Sequence, residues 1–319
     1  MIKAWMRDLQ VIFTSNLTKS SLIFGDKWLK GEDDVNIEIV GTKYLSCNKD
    51  NFTIRISNLT YKEIIQLIKY QYYDIEIKAG YRLDNYTSGA KTIFKGSVIF
   101  ITNELTDNKT HTAIILAGSK MMATYGQKRM NLSLKSGINM YSAINFICKR
   151  AGITNPNIDE DLKNRLLRET TSTNMTINNF FEVFNNTNGL IANADSSYKN
   201  TFSIINPYRT NNRVIKLDNN KIVLVAGYPK LTSDGLTMTI LPTFNFMPMD
   251  VIVIDNSIID ISVSSNTASN FNNSMFLDED GKYLITQIDY NLQNRSSSYS
   301  IRITAKARSL YSKNLFRGQ

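Results

Sequence analysis

One histidine, two cysteines and a short carboxylate run are the residues of this 319-residue chain best suited to chemistry. His111, in NKTHTAIIL, would act as a general base only beside a nucleophile or carboxylate that the fold brings to it. Nothing near it in the sequence completes a triad, so a structural or surface role is favoured. Cys47 and Cys148 lie far apart, and with a single histidine they match no closed zinc site. Asp278-Glu279-Asp280-Gly281 is the best candidate for a cation. A calcium loop, however, spreads its oxygens over about 12 residues and finishes on a bidentate Glu. Here the glycine comes early and KYLITQI follows at once, which favours a turn leading into a strand. There is no Walker loop, GxGxxG turn, HExxH helix or GxSxG elbow. Paired glycosidase carboxylates leave no sequence signature, and no segment advertises them. The chain therefore reads as non-enzymatic, with no cofactor and no metal.

The elements that would position any site are mostly strands. A hydrophobic fraction of 42% with 20% charged residues supplies ample core, and the length suggests two or three domains. No apolar run approaches the roughly 20 residues that span a bilayer, so no membrane anchor is expected. The start, MIKAWMRDLQVIF, lacks the pattern of a signal peptide. Residues 1–120 read as a β-domain with one helix. Val35–Val40 and Phe52–Ser57 alternate with period two, as does YDIEIKAGY, and IFKGSVIFI and HTAIILAG complete the sheet with period-two and fully apolar runs. Between them Thr60 and Glu63 form a capping box, followed by an apolar stripe of Ile64, Leu67 and Ile68. In DIEIKAGYRLDNYTSGAKTIFKGSVIFI, Gly80 would let the chain leave the sheet. Gly96 would mark a bulge or a close backbone approach, and Arg82–Lys91 a loop reaching a neighbour.

Residues 121–205 read as a small mixed insert. Ile144, Ile147, Cys148 and Ala151 recur at helical spacing before Gly152. A second helix has Thr176 as its cap, Phe180, Val183 and Phe184 facing inward, and Gly189 as its stop. Residues 206–319 return to strands: KIVLVAG, LTMTILP, DVIVID, YLITQIDY and YSIRITAKA. The tract Ser262–Ser274 reads as a loop, and Ala-Gly-Tyr occurs at both 79–81 and 226–228, which hints at an internal repeat. The net charge is +9, with basic residues and no carboxylate from Arg295 to Gln319. Two readings of that tract stand open: an arm for an acidic partner, or a final strand with a solvated face and a frayed tail. Aromatics interleaved with basic residues can stack bases. YKEIIQLIKYQYY is more simply a helix running into a strand, and no nucleic-acid motif accompanies it.

The order of these pieces resembles the baseplate hub proteins of contractile-tailed bacteriophages and related injection machines, the late control protein D and T4-type hub family. The shared pattern runs strand, NLT-capped helix, strand ending AGY, loop, then IFKGSV. LVAGYPKLTSDGLTMTILPTFNFMPMDVIVID and DGKYLITQIDYNLQNRSSSYSIRITAKA resemble the family's second barrel and closing hairpin. The family's Gly-Asp before the last strand is Gln293-Asn294 here, and its usual Trp is Tyr299. The resemblance implies an α+β, predominantly β fold with two tail-tube-like antiparallel β-barrel or sandwich domains and a small helical insert. It also implies a homotrimer that joins a sixfold tail tube, or its initiator, to a threefold central spike, beside other baseplate proteins. DNA would pass through its lumen without specific binding. The protein would reside in the virion tail after assembly in the bacterial cytoplasm. Tyr311, Leu315 and Phe316 are the expected spike-docking anchors. The alternatives are a distal tail or tube-initiator protein, and a tail-associated cell-wall hydrolase or carbohydrate-binding module.

Overall fold

The structure, a computed structural model, describes residues 7–15, 17–25, 35–45, 50–69, 74–81, 89–106, 110–119, 128–153, 156–167, 169–188, 190–193, 203–205, 213–217, 227–232, 235–243, 245–260 and 277–308. The first strands are β1 (Arg7–Thr14), β2 (Ser21–Phe24), β3 (Asn36–Tyr44), β4 (Asn51–Leu59), β5 (Asp74–Tyr81), β6 (Lys91–Thr106) and β7 (Thr110–Gly118). Ile37 and Ile39 of β3, Phe52, Ile54 and Ile56 of β4, and Ile75, Ile77 and Ala79 of β5 are buried, as alternation predicts. Helix α1 (Tyr61–Lys69) follows β4. Its capping box is formed: the Glu63 N–H donates to Thr60 Oγ1 (3.3 Å) and the Thr60 N–H to Glu63 Oε2 (2.8 Å). Ile64 and Leu67 are buried, but Ile68 is 48% exposed, so the expected stripe is narrower than three residues.

The middle of the chain builds its own core. It contains β8 (Arg129–Leu134), α2 (Met140–Ala151), β9 (Asn157–Ile158), β10 (Thr171–Thr176), α3 (Ile177–Asn188), β11 (Ile191–Asn193) and β12 (Ser203–Ile205). Asn139 caps α2 by accepting from the Ser142 N–H, and Gly152 ends it in the left-handed region at φ 77°. Ile144, Ile147, Cys148 and Ala151 are all buried, and burial pushes the Cys148 thiol up to about 12. In α3 the cap is Thr176, which accepts from the Asn179 N–H. Phe180 and Phe184 point inward, but Val183 is 52% exposed and Phe181 takes the third inward position. Phe181 packs edge-on against Phe180. The stop expected at Gly189 lies outside the described residues.

The last third adds β13 (Val214–Lys216), β14 (Lys230–Thr232), β15 (Gly235–Ile240), β16 (Val251–Val253), β17 (Lys282–Gln293) and β18 (Tyr299–Ala307). KIVLVAG lies almost wholly outside the described residues, as does Ser262–Ser274. In place of closed barrels, the described strands form one large, mostly antiparallel sheet. Strands from both ends of the chain share a 13-stranded sheet, ordered β14-β15-β18-β17-β3-β4-β7-β6-β5-β1-β2, with β16 also on β17 and β13 on β16. Antiparallel pairing of β17 with β3 joins the halves, and one hydrophobic core runs under both. Among the described residues this path has two ends, so hydrogen bonding closes no barrel. The sheet is also not purely antiparallel, because β13 runs parallel to β16.

The sheet nevertheless folds over on itself. If it were flat, β18 and β5 would lie roughly 30 Å apart at the usual strand spacing. Instead the Tyr299 hydroxyl of β18 sits between β1 and β5, 2.9 Å from Asp8 O and 2.8 Å from Gly80 O, and accepts the Gly80 N–H at 3.0 Å. The Arg7 guanidinium stacks 5.0 Å over the Tyr299 ring and donates to Gln293 O, Ser296 O and Ser297 O in the β17–β18 hairpin. Closure is therefore made by side chains rather than by strand pairing.

A second tie secures β13. Arg213 holds the buried Asp250 through Nε–Oδ1 (2.9 Å) and Nη2–Oδ2, and Asp250 Oδ2 also accepts the Met247 N–H (2.8 Å). Burial raises the Asp250 carboxyl, and Arg213 draws it part of the way back. Arg213→Ala should cost about 2 kcal/mol, because it leaves a buried carboxylate without its cation. A urea midpoint that does not move would contradict this.

Candidate functional site

Few of the chemistry-bearing residues converge. His111 stands at the start of β7, with Nδ1 3.3 Å from Asn103 Oδ1 and its ring 5.6 Å from that of Tyr61. Asp278 is buried and bonded to its own turn. Its Oδ1 accepts the Asp280 and Lys282 N–H groups, its carbonyl accepts the Gly281 N–H, and Gly281 adopts φ 64°. The tetrad is thus a turn that aims the backbone into β17. Among the described residues no group of three or more His, Cys, Asp or Glu side chains could hold a metal. Cys47 and the expected anchors Tyr311, Leu315 and Phe316 lie outside the described residues.

The two glycines of the odd hairpin do different things. Gly80 is not an exit from the sheet: it pairs with Asp8, and a Cβ there would come 2.6 Å from Gly89 O. Gly96 is a close approach. A Cβ would come 2.2 Å from Gly118 O of β7 and 2.4 Å from the Phe94 ring. The bulges fall beside it, between Ile77 and Lys78 of β5 and between Val98 and Phe100 of β6.

What the fold does bring together is apolar surface. On the outward face of the sheet, Val40, Thr53, Leu116 and Phe100 stand in one lateral row across β3, β4, β7 and β6. Phe100 is 58% exposed and Val40 51%, and Leu116 and the bulged Ile99 are exposed beside them. Helix α1 adds an exposed stripe of Tyr61, Ile65 and Ile68 at helical spacing. Thr53 separates Val40 from Leu116, but exposed apolar side chains grouped at the centre of a sheet face are uncommon on a soluble monomer and mark contact surfaces. The sequence carried one signal of the row: Val98-Ile99-Phe100-Ile101 is an unbroken apolar run where a half-exposed strand would alternate. No helix is long and apolar enough to cross a membrane among the described residues.

No protein-family model and no curated protein sequence matches the chain. Its fold is similar to that of several solved structures. The 43 kDa tail protein of prophage MuSo2 from Shewanella oneidensis superposes with TM-score 0.57 at 11% identity, covering 94% of this chain and 99% of that one. The tail protein from Neisseria meningitidis MC58 gives 0.54 at 8% identity over 94% and 96%. The E. coli c3393 protein gives 0.52 at 10% identity over 96% and 76%. That protein is described as a component of the type VI secretion system, structurally similar to the T4 bacteriophage tail proteins gp27 and gp5. At these identities what is shared is the fold.

Proposed function

We propose that the chain is a structural, non-enzymatic baseplate hub of a contractile tail: a homotrimer that joins the sixfold tail tube to the threefold spike around a DNA channel. The observation that carries this reading is the outward apolar row of Val40, Leu116 and Phe100, on a fold otherwise like tail proteins over 94% of the chain. Such a face gains stability only when covered. A closed ring of identical copies covers three faces with one repeated contact. Tyr311, Leu315 and Phe316 remain the proposed anchors for the spike, and the virion tail baseplate the proposed location.

Light scattering on the purified protein tests the assembly. The mass should be that of three 36.3 kDa chains. Phe100→Glu combined with Leu116→Glu should return it to one chain with an unchanged circular dichroism spectrum. A trimer indifferent to both substitutions would remove the row from the interface. Clearing of peptidoglycan by the purified protein would replace the reading with that of a hydrolase.

A further inference from the structure

Helix α1 leaves a second apolar surface uncovered. Ile64 and Leu67 turn into the core, which puts Tyr61, Ile65 and Ile68 on the solvent side at i, i+4 and i+7. The Tyr61 ring touches that of His111, and exposed Leu105 of β6 stands directly across from His111 of β7. By alternation His111 and Leu105 continue the face of β7 and β6 that buries Ala113 and Ile115, while Leu116 and Phe100 stand on the opposite one. The α1 stripe with Leu105 is therefore a surface separate from the outward row. Outside these two groups, exposed large apolar side chains stand no more than one to a strand or helix among the described residues.

We propose that the α1 stripe of one copy packs on the Val40, Leu116 and Phe100 row of the next. The inference rests on the homotrimer reading. A threefold ring is built from head-to-tail contacts, each joining two different surfaces, so the row needs a partner other than itself. The stripe fits it in size. Tyr61 to Ile68 runs about 10 Å along the helix, and Val40 to Phe100 crosses three strand spacings, about 14 Å. It also fits in kind, because an apolar helix stripe laid on an apolar sheet face is how two layers build a domain core. The borders are complementary in charge. Half-exposed Glu38, two residues from Val40 on the same face of β3, is bonded to the neutral Gln293 amide, whereas Arg55 and Glu104 neutralise each other. Beside the stripe, Lys62 is exposed and the Glu63 carboxylate is turned back to the Thr60 cap.

The test is light scattering on separate and mixed variants. Phe100→Glu with Leu116→Glu disables the row, and Ile65→Glu with Ile68→Glu disables the stripe. Each variant alone should give the mass of one 36.3 kDa chain in place of three. An equimolar mixture should give two chains, because it holds one intact stripe facing one intact row and cannot close a ring. Circular dichroism checks that each variant is folded. Tyr61→Lys with Leu105→Lys, at the two most exposed positions of the stripe surface, repeats the stripe arm should the first pair cost α1 its helicity. A mixture that stays at one chain overturns the inference. So does a stripe variant that remains a trimer, and that result leaves the hub reading standing. A wild-type mass that climbs past three chains with concentration, and falls to one in either variant, sinks the closed trimer and leaves this contact standing. A wild type of one chain at every concentration sinks both.

Discussion

Tyr299→Ala should be the most damaging single substitution in the chain, costing about 4 kcal/mol of folding stability. The ring fills the space between β18 and the β1–β5 pair, edge-on to Tyr81 at 5.4 Å and beneath the Arg7 guanidinium. Its truncation leaves a cavity where the hydroxyl bridges β18 to β1 and β5. Tyr299→Phe separates the two contributions. It keeps the packing but strands the buried Gly80 N–H, for about 1–3 kcal/mol. It should also change how stability depends on alkali. Burial pushes Tyr81 up to about 12, opposed by Arg7, and pushes Tyr299 higher still. An unfolded tyrosine ionises near 10, so above that pH the unfolded chain loses protons that the native protein keeps. The stability that both phenols contribute is complete below about pH 10 and falls as pH rises through about 12. Each phenol adds at most about 1.4 kcal/mol per pH unit. Urea unfolding at a series of pH values should give Tyr299→Phe a shallower alkaline slope than wild type. Equal slopes would mean that Tyr299 is solvated and the sheet is not closed as described.

Gly96→Ala should cost about 3 kcal/mol. The new methyl would meet backbone on one side and a core ring on the other, and neither has room to yield. Gly118 is held in β7 between Asn51 and Ser97, and Phe94 is stacked on Phe52 at 4.2 Å. Gly137→Ala is the comparison, since nothing lies within 4 Å of a Cβ there and the cost is backbone strain alone, about 1 kcal/mol. Thermal midpoints of the two variants decide the matter. If Gly96→Ala is the milder change, β6 and β7 do not approach as closely as the structure has them.

The parts that sequence reasoning found are those where one physical signal dominated. The strands β3, β4, β5 and β18 alternate over most of their length, and α1 and α2 carry cap chemistry that matches their observed ends. The misses have identifiable causes. β1 hides because polar Asp8 and Gln10 are buried with its apolar residues and bonded to each other, which blurs the inside and outside faces. β8 and β10 are short and lie beside turn and polar residues, and their pairing joins segments on either side of α2. The helical period fits Val183 inward as well as Phe181, and only packing distinguishes them. Lys43 points into the core at full burial, where its ammonium donates to Ile93 O, a position that no pattern assigns to lysine. The outward apolar row was legible only in the unbroken run Val98–Ile101. It is made by the register of four strands, and register is a property of the sheet rather than of any one segment.

The most direct test of the central claim is negative-stain imaging of the purified chain, averaged without imposed symmetry. A hub predicts threefold rings with an open centre, and their loss when Phe100 and Leu116 are both replaced by Glu. Particles without a central opening, or rings of another order that survive those replacements, would contradict it.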